Sequence, residues 1–168
     1  MPDISEERLE ELFTKVEGYE IASAGDVEAF DGTARFLGEL EEAKAALSRE
    51  CWAIATRCTL PLFAARYRPL GLPYPTTLVT ADQVTPGKPD PEPYLLAAQS
   101  LGVDAAECIV VEDAPGGLAS ARAAGAFVVS VLNSASAETV GPLADLVIPS
   151  LADVSIEACE GELVLRAR

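Results

Sequence analysis

The stretch Cys108-Ile109-Val110-Val111-Glu112-Asp113-Ala114-Pro115-Gly116-Gly117 limits the fold of this chain more than any other. Cys108 to Val111 is short, apolar and β-branched, the pattern of a strand buried on both faces of a parallel sheet. It runs into two adjacent carboxylates, Glu112 and Asp113. Pro115-Gly116-Gly117 breaks the strand, and Leu118 to Gly125 reads as a helix of small residues, so the acid pair sits where a strand hands over to a helix. Open α/β sheets bind ligands at the carboxyl ends of their strands. Trp52 to Thr56 is a second such strand, ending in a hydroxyl and followed by Arg57. Lys88 lies in a loop stiffened by Pro86, Pro89, Pro91 and Pro93, since each ring fixes φ and restricts the residue before it. A fixed ammonium, a hydroxyl and paired carboxylates suit a phosphate group with its magnesium ion.

The rest of the chain fits one α/β domain. Its 168 residues and 49% hydrophobic content give enough apolar material for a substantial core. A formal charge of −15 argues against nucleic acid or an anionic membrane surface as a partner. Roughly half of the carboxylates precede Trp52, which reads as a solvated helical surface. The start at Met1-Pro2-Asp3-Ile4 lacks the basic and apolar regions of a signal peptide, and no apolar run is long enough to span a bilayer. The expectation is a soluble cytoplasmic protein.

Histidine is absent, which removes His-based triads, His metal sites and the commonest general base. Cys51, Cys58, Cys108 and Cys159 show no paired metal-ligand spacing and read as reduced thiols. Cys58 sits beside Arg57 at the rim of the candidate site, where a cation lowers a thiol pKa.

Ser5 to Val16 predicts a helix: Ser5 caps it, Glu6 and Glu7 favour its positive end, and Leu9, Leu12, Phe13 and Val16 form an apolar stripe. That stripe needs a partner, either the domain's own sheet or the same helix of a second chain, and a homodimer through it is the expected assembly. Gly18 and Gly25 bracket a loop. Further helices are expected over Thr33 to Leu47, Leu60 to Leu70 and Pro91 to Leu101, strands over Phe127 to Leu132 and Asp145 to Ile148, and a closing hairpin through Glu160-Gly161.

Three segments resemble motifs of the haloacid dehalogenase superfamily, and most closely its phosphatases for small sugar and polyol phosphates. Ala53-Ile54-Ala55-Thr56 resembles the second motif, which implies that Thr56 hydrogen-bonds a phosphoryl group. Gly87-Lys88-Pro89-Asp90-Pro91-Glu92-Pro93-Tyr94 resembles the third, which implies that Lys88 neutralises nucleophile and phosphate. Val111-Glu112-Asp113-Ala114-Pro115-Gly116-Gly117 resembles the fourth, which implies that Glu112 and Asp113 hold magnesium. The implied fold is a Rossmann-like core, a parallel sheet flanked by helices, over residues 32–168, with residues 1–31 a remnant of a cap helix and its linker.

The family's first motif, Asp-x-Asp-Gly-Thr at the end of an N-terminal strand, has no full match. Phe30-Asp31-Gly32-Thr33 matches it in part, with Ala29 at the nucleophile position. The expectation is a core whose cap is mostly absent and whose central nucleophile strand is missing. Both neighbouring strands must then close up, or another segment must fill the gap. Arg57, where the family has small residues, places a permanent cation beside the pocket, and Arg57 or Lys88 is expected to pair with Glu112 or Asp113.

Three readings of function follow from these residues. One is acid/base or carbonyl chemistry on a small polar or anionic metabolite, with Lys88, Glu112, Asp113 and Arg57 as the catalytic set and Thr56, Arg57 and Lys88 as the anion-binding set. The second is magnesium-dependent hydrolysis of a sugar or polyol phosphate. The third is a non-catalytic binding subunit.

Overall fold

The computed structural model describes residues 4–168; Met1 to Asp3, on which the reading of the N-terminus partly rests, lie outside the described residues. Helix α1, Glu6–Ala22, starts where the Ser5 hydroxyl accepts the Arg8 N–H. It continues through Gly18, so the expected loop there does not form. Glycine in a helix costs about 1 kcal/mol, and contacts to the next layer offset it: Glu17 accepts a hydrogen bond from Thr59, and Glu20 pairs with Arg66 at 3.0 Å. The apolar stripe of α1 stays open, with Leu9, Phe13 and Val16 all more than half exposed. Among the described residues no helix is long and apolar enough to cross a membrane.

Helix α2, Thr33–Leu47, follows a turn at Asp31-Gly32 and leads to strand β1, Ala53–Ala55. Gly32 is required at this turn: its φ is +80°, and a Cβ there would lie 2.3 Å from the backbone nitrogen of Ala152. Helix α3, Leu60–Tyr67, ends before the expected Leu70 and hands over to a tighter turn at Arg68–Leu70. Strand β2, Thr77–Val79, is too short and too close to prolines for the sequence pattern to register. Helix α4, Glu92–Leu101, strand β3, Ile109–Glu112, and helix α5, Pro115–Ala123, follow. Pro115-Gly116-Gly117 therefore forms the first turn of α5 as well as ending the strand, because proline suits the first helical position. Strand β4, Phe127–Val131, a short helix α6, Ala137–Val140, and strand β5, Leu146–Ile148, complete the α/β part. Strands β6, Val154–Cys159, and β7, Glu162–Ala167, form the closing antiparallel hairpin through Glu160-Gly161.

The parallel strands form two sheets rather than one. β1 pairs with β2, while β3, β4 and β5 pair in that order. Among the described residues β1 and β3 have neither closed up nor been joined by another segment. They flank a slot of about 860 Å³, lined by Ile54 and Val111 from the strands, Phe36 and Leu40 from α2, Ala97 from α4 and Leu165 from β7. β3 is not buried on both faces as its sequence implies: Ile109 is 39% exposed, and the first residues of the other two strands of its sheet, Phe127 in β4 and Leu146 in β5, are exposed too, whereas Val128 and Val129 further along β4 are fully buried. Each strand-edge backbone group left buried without a partner costs about 1–3 kcal/mol.

Two apolar clusters hold the halves in place. Phe36, Leu40, Trp52, Val129, Ile148 and Ile156 pack on one side, and Leu118, Ala121, Val128 and Val140 on the other. Arg35 ties α2 to the hairpin: its guanidinium donates to the carbonyls of Leu151 and Val154, both at 2.8 Å, and pairs with Glu39 at 2.7 Å. Glu39 in turn accepts the Ile156 N–H at 3.0 Å. Arg35→Ala removes the forked donor from all these acceptors and is expected to lower stability in urea unfolding by about 2–3 kcal/mol, with Arg35→Lys restoring only part of it because an ammonium lacks the planar fork.

Candidate functional site

The site is built at the carboxyl ends of β1 and β3 around one buried ion pair. The side chains of Lys88 and Glu112 are 5% and 13% exposed and in direct contact. The Lys88 ammonium also donates to the Ala55 carbonyl at 3.1 Å and to the Tyr94 hydroxyl at 2.7 Å. The Tyr94 hydroxyl in turn donates a hydrogen bond to Glu112 Oε1 at 2.6 Å. The other carboxylate oxygen, Oε2, accepts the backbone N–H groups of Asp113 and Ala114 at 3.1 and 3.3 Å. Both oxygens of Glu112 and all three ammonium protons of Lys88 thus have partners.

The local sequence makes this arrangement possible. Glu112 ends β3 and folds back over the first turn of α5, where N–H groups and the helix dipole favour an anion. Gly117 leaves the room: a Cβ there would stand 2.1 Å from the Glu112 carboxyl carbon. Burial works to raise the pKa of Glu112, but the Lys88 ammonium, the Tyr94 hydroxyl and the Ala114 N–H outweigh it and hold the group below the ordinary carboxylate value. Burial and the neighbouring Glu112 charge push the Tyr94 hydroxyl well above its usual range, so it remains a proton donor.

The remaining sequence-predicted residues are placed differently. Lys88 pairs with Glu112 as expected, but Arg57 is exposed and makes no ion pair among the described residues. Thr56 lies in the same turn: its N–H donates to Val79 at 2.8 Å, and its hydroxyl accepts the Cys58 N–H at 3.1 Å. Asp113 is half-buried; its carbonyl accepts the Ser134 hydroxyl, and its carboxylate makes no hydrogen bond among the described residues. Asp31 is exposed in the turn before α2, its carbonyl accepting the Ser150 hydroxyl, and does not touch the Lys88 cluster. The residue that sequence reasoning left without a role is Tyr94. It stands six positions after Lys88, and the signal was a tyrosine opening the helix that follows the proline loop.

The fit to magnesium is partial. Among the described residues no three acidic or thiol side chains gather into a metal-binding group, and Glu112 is occupied by Lys88. Asp113 alone offers a free carboxylate, one ligand of the oxygen set that the ion requires.

Comparison with known proteins identifies the family. The family model for haloacid dehalogenase-like hydrolase matches residues 2–125. The chain belongs to this family. It is 38% identical to hexitol phosphatase A of Escherichia coli over 152 residues, which cover 90% of this chain and 68% of that protein. It is also 38% identical to glycerol-1-phosphate phosphohydrolase 2 of Saccharomyces cerevisiae over 93 residues, covering 51% of this chain and only 37% of that one. Among solved structures, a hydrolase from Pseudomonas syringae superposes with a TM-score of 0.81 at 27% identity, over 90% of this chain and 68% of the other.

Because Glu112 is depressed in the folded state, the stability it contributes is present above the ordinary carboxylate pKa and is lost as pH falls through the lowered folded value. The fall in stability below about pH 4.5 should therefore be shallower in Glu112→Gln than in the parent, measured by thermal melts across pH. At pH 7 the same variant leaves the Lys88 ammonium buried without its counter-charge and should lose about 3–5 kcal/mol. Gly117→Ala should displace the Glu112 carboxylate and reproduce part of that loss, with the Lys88 signal in NMR shifting as its partner moves.

Proposed function

We propose that this haloacid dehalogenase-like hydrolase acts on small sugar or polyol phosphates as a phosphatase. The observation that carries the reading is the buried Lys88 ammonium, fixed by Glu112 and Tyr94 at the carboxyl ends of β1 and β3 beside the Thr56 turn. A phosphoryl group set there meets a positive charge that needs no reorganisation, the condition under which electrostatic stabilisation is strongest. Thr56 supplies a hydroxyl and Arg57 a free guanidinium for the phosphate oxygens. Asp113 would hold one side of a magnesium ion, which when bound neutralises phosphate charge. Glu112 acts through Lys88, as a positioning residue.

The names of the relatives support this reading, since a hexitol phosphatase and a glycerol-1-phosphate phosphohydrolase stand among them. A second reading has one observation in its favour: among the described residues no carboxylate other than Glu112 contacts Lys88 and none contacts Thr56. On that reading the pocket binds an anionic metabolite without hydrolysing it, or uses Lys88 and Asp113 for acid/base chemistry on a substrate that carries no phosphate.

Phosphate release from a panel of hexitol, sugar and glycerol phosphates, with and without magnesium, separates the two. Hydrolysis is expected to depend on magnesium and to fall about 100-fold or more in Lys88→Ala and in Asp113→Asn, each checked for folding by circular dichroism. No turnover, together with a rise in Tm on adding a hexitol phosphate, would favour the binding reading instead.

A further inference from the structure

Arg57 stands in the turn that carries Thr56, and the backbone on both sides of it is anchored. Before it, the Thr56 N–H donates to the Val79 carbonyl at 2.8 Å. After it, the Cys58 N–H donates to the Thr56 hydroxyl oxygen at 3.1 Å, and the Cys58 carbonyl accepts the Ala81 N–H at 2.9 Å. The next residue, Thr59, caps α3 by accepting the Leu62 N–H. Arg57 is therefore mounted on a turn tied to β2 and to the segment after it, and only its side chain is free to reorient.

The carboxylates on the neighbouring elements are already engaged. Glu17 of α1 accepts from Thr59, Glu20 of α1 pairs with Arg66 at 3.0 Å, and Asp82 accepts the Leu60 N–H at 2.6 Å. The two cations of the site differ in depth and in commitment. Lys88 is 5% exposed, held on three sides and neutralised by Glu112, whereas Arg57 is exposed at the rim. In a chain of net charge −15 the general field repels anions, and a permanent cation at the mouth of the site works against it.

A phosphate ester seated with its phosphoryl group against Lys88 and Thr56 would direct the rest of its carbon chain outward, to the rim where Arg57 stands. A guanidinium presents five donors, so one side can meet a phosphoryl oxygen while another receives a second anion. Its planar fork matches a carboxylate or a phosphate with two parallel bonds and suits single hydroxyls less well. A neutral polyol chain would leave this fork to water. A second anionic group on that chain would take it.

We propose that Arg57 is a specificity-determining residue, and that the substrates are phosphate esters of sugar or polyol chains that carry a second anionic group, a carboxylate or another phosphate. The inference rests on the reading of Lys88 and Thr56 as the seat of the phosphoryl group, and it narrows that reading to one class of substrate.

The test uses the purified chain with magnesium and three ligands of equal chain length: glucitol phosphate, gluconate phosphate with its ester on the same terminal carbon, and glucitol bisphosphate with an ester on each terminal carbon. Affinity is read from the rise in Tm with ligand concentration and turnover from phosphate release, in the parent, Arg57→Ser, Arg57→Lys and Arg122→Ser. Arg122 lies in the last turn of α5, away from the site, and controls for net charge. The parent should bind at least one of the two acids about tenfold more tightly than glucitol phosphate, the size expected of one charge-assisted contact. Arg57→Ser should erase that ratio, Arg57→Lys should keep part of it, and Arg122→Ser should leave it as in the parent. Equal affinity of the parent for all three ligands would overturn the proposal, as would a ratio that survives Arg57→Ser. A ratio lost equally in Arg122→Ser would overturn it too, by showing a response to net charge alone. Selective binding without phosphate release would retire the phosphatase reading and leave the assignment of Arg57 standing. Phosphate release with the same kcat/KM from all three would do the reverse, and binding of none of them would overturn both.

Discussion

A single buried ammonium sets the terms for this structure. Lys88 is nearly sealed from water, and an ion in that position is tolerated only with a counter-charge and a full set of acceptors. It finds them on three different elements: the carbonyl at the end of β1, the hydroxyl at the start of α4, and the carboxylate at the end of β3. Glu112 reaches back to it only because Gly117 leaves the space above α5 empty. A requirement that looks local therefore fixes the direction of a strand end, the identity of a helix residue and the placing of a proline loop. It also places charge where strand ends and a helix N-terminus converge, the setting in which a phosphate oxygen is best received.

The sheet shows what that charge cluster has to work against. With β1 and β3 unpaired, the α/β core has a seam, and apolar contacts hold it from outside. Phe36 and Leu40 lie across the seam from one side, packed on Trp52 of the β1 approach and on Val129 and Ile148 of the other sheet. The hairpin of β6 and β7, clamped to α2 through Arg35 and Glu39, closes over the same cluster. Lys88 bridges the seam at its far end. Cohesion across the gap thus comes from layers above the sheet and from one polar link within it, not from a strand ladder.

How far these features could be read in the sequence follows from their range. The elements whose pattern is local were legible: the apolar run at Val110 and Val111, the amphipathic turn pattern of α2, and the Glu160-Gly161 hairpin, where both residues adopt positive φ. The three motif segments also placed Thr56, Lys88, Glu112 and Asp113 correctly at strand ends or in the loop between them. What escaped depends on partners distant in the chain. Strand β2 is three residues long and is recognisable only by its pairing to β1. Gly18 reads as a break until Thr59 and Arg66 hold α1 through it. Two carboxylates side by side read as a metal pair, yet the structure separates them. Glu112 is spent on Lys88, and Asp113 is left free, a division that depends on the 24-residue step from Lys88 to Glu112 and on Tyr94.

The Ala55 carbonyl is where the seam and the charge cluster meet. It belongs to the row of backbone groups that faces the slot, and it is also one of the three acceptors of Lys88. A carbonyl oxygen carries two lone pairs, and the Lys88 ammonium occupies one of them. The remaining two bonds of Lys88 run to Tyr94 on α4 and Glu112 on β3, both of which also line the slot. The sheet and the site therefore meet at the end of the slot, where Lys88 holds the end of β1 and the end of β3 together.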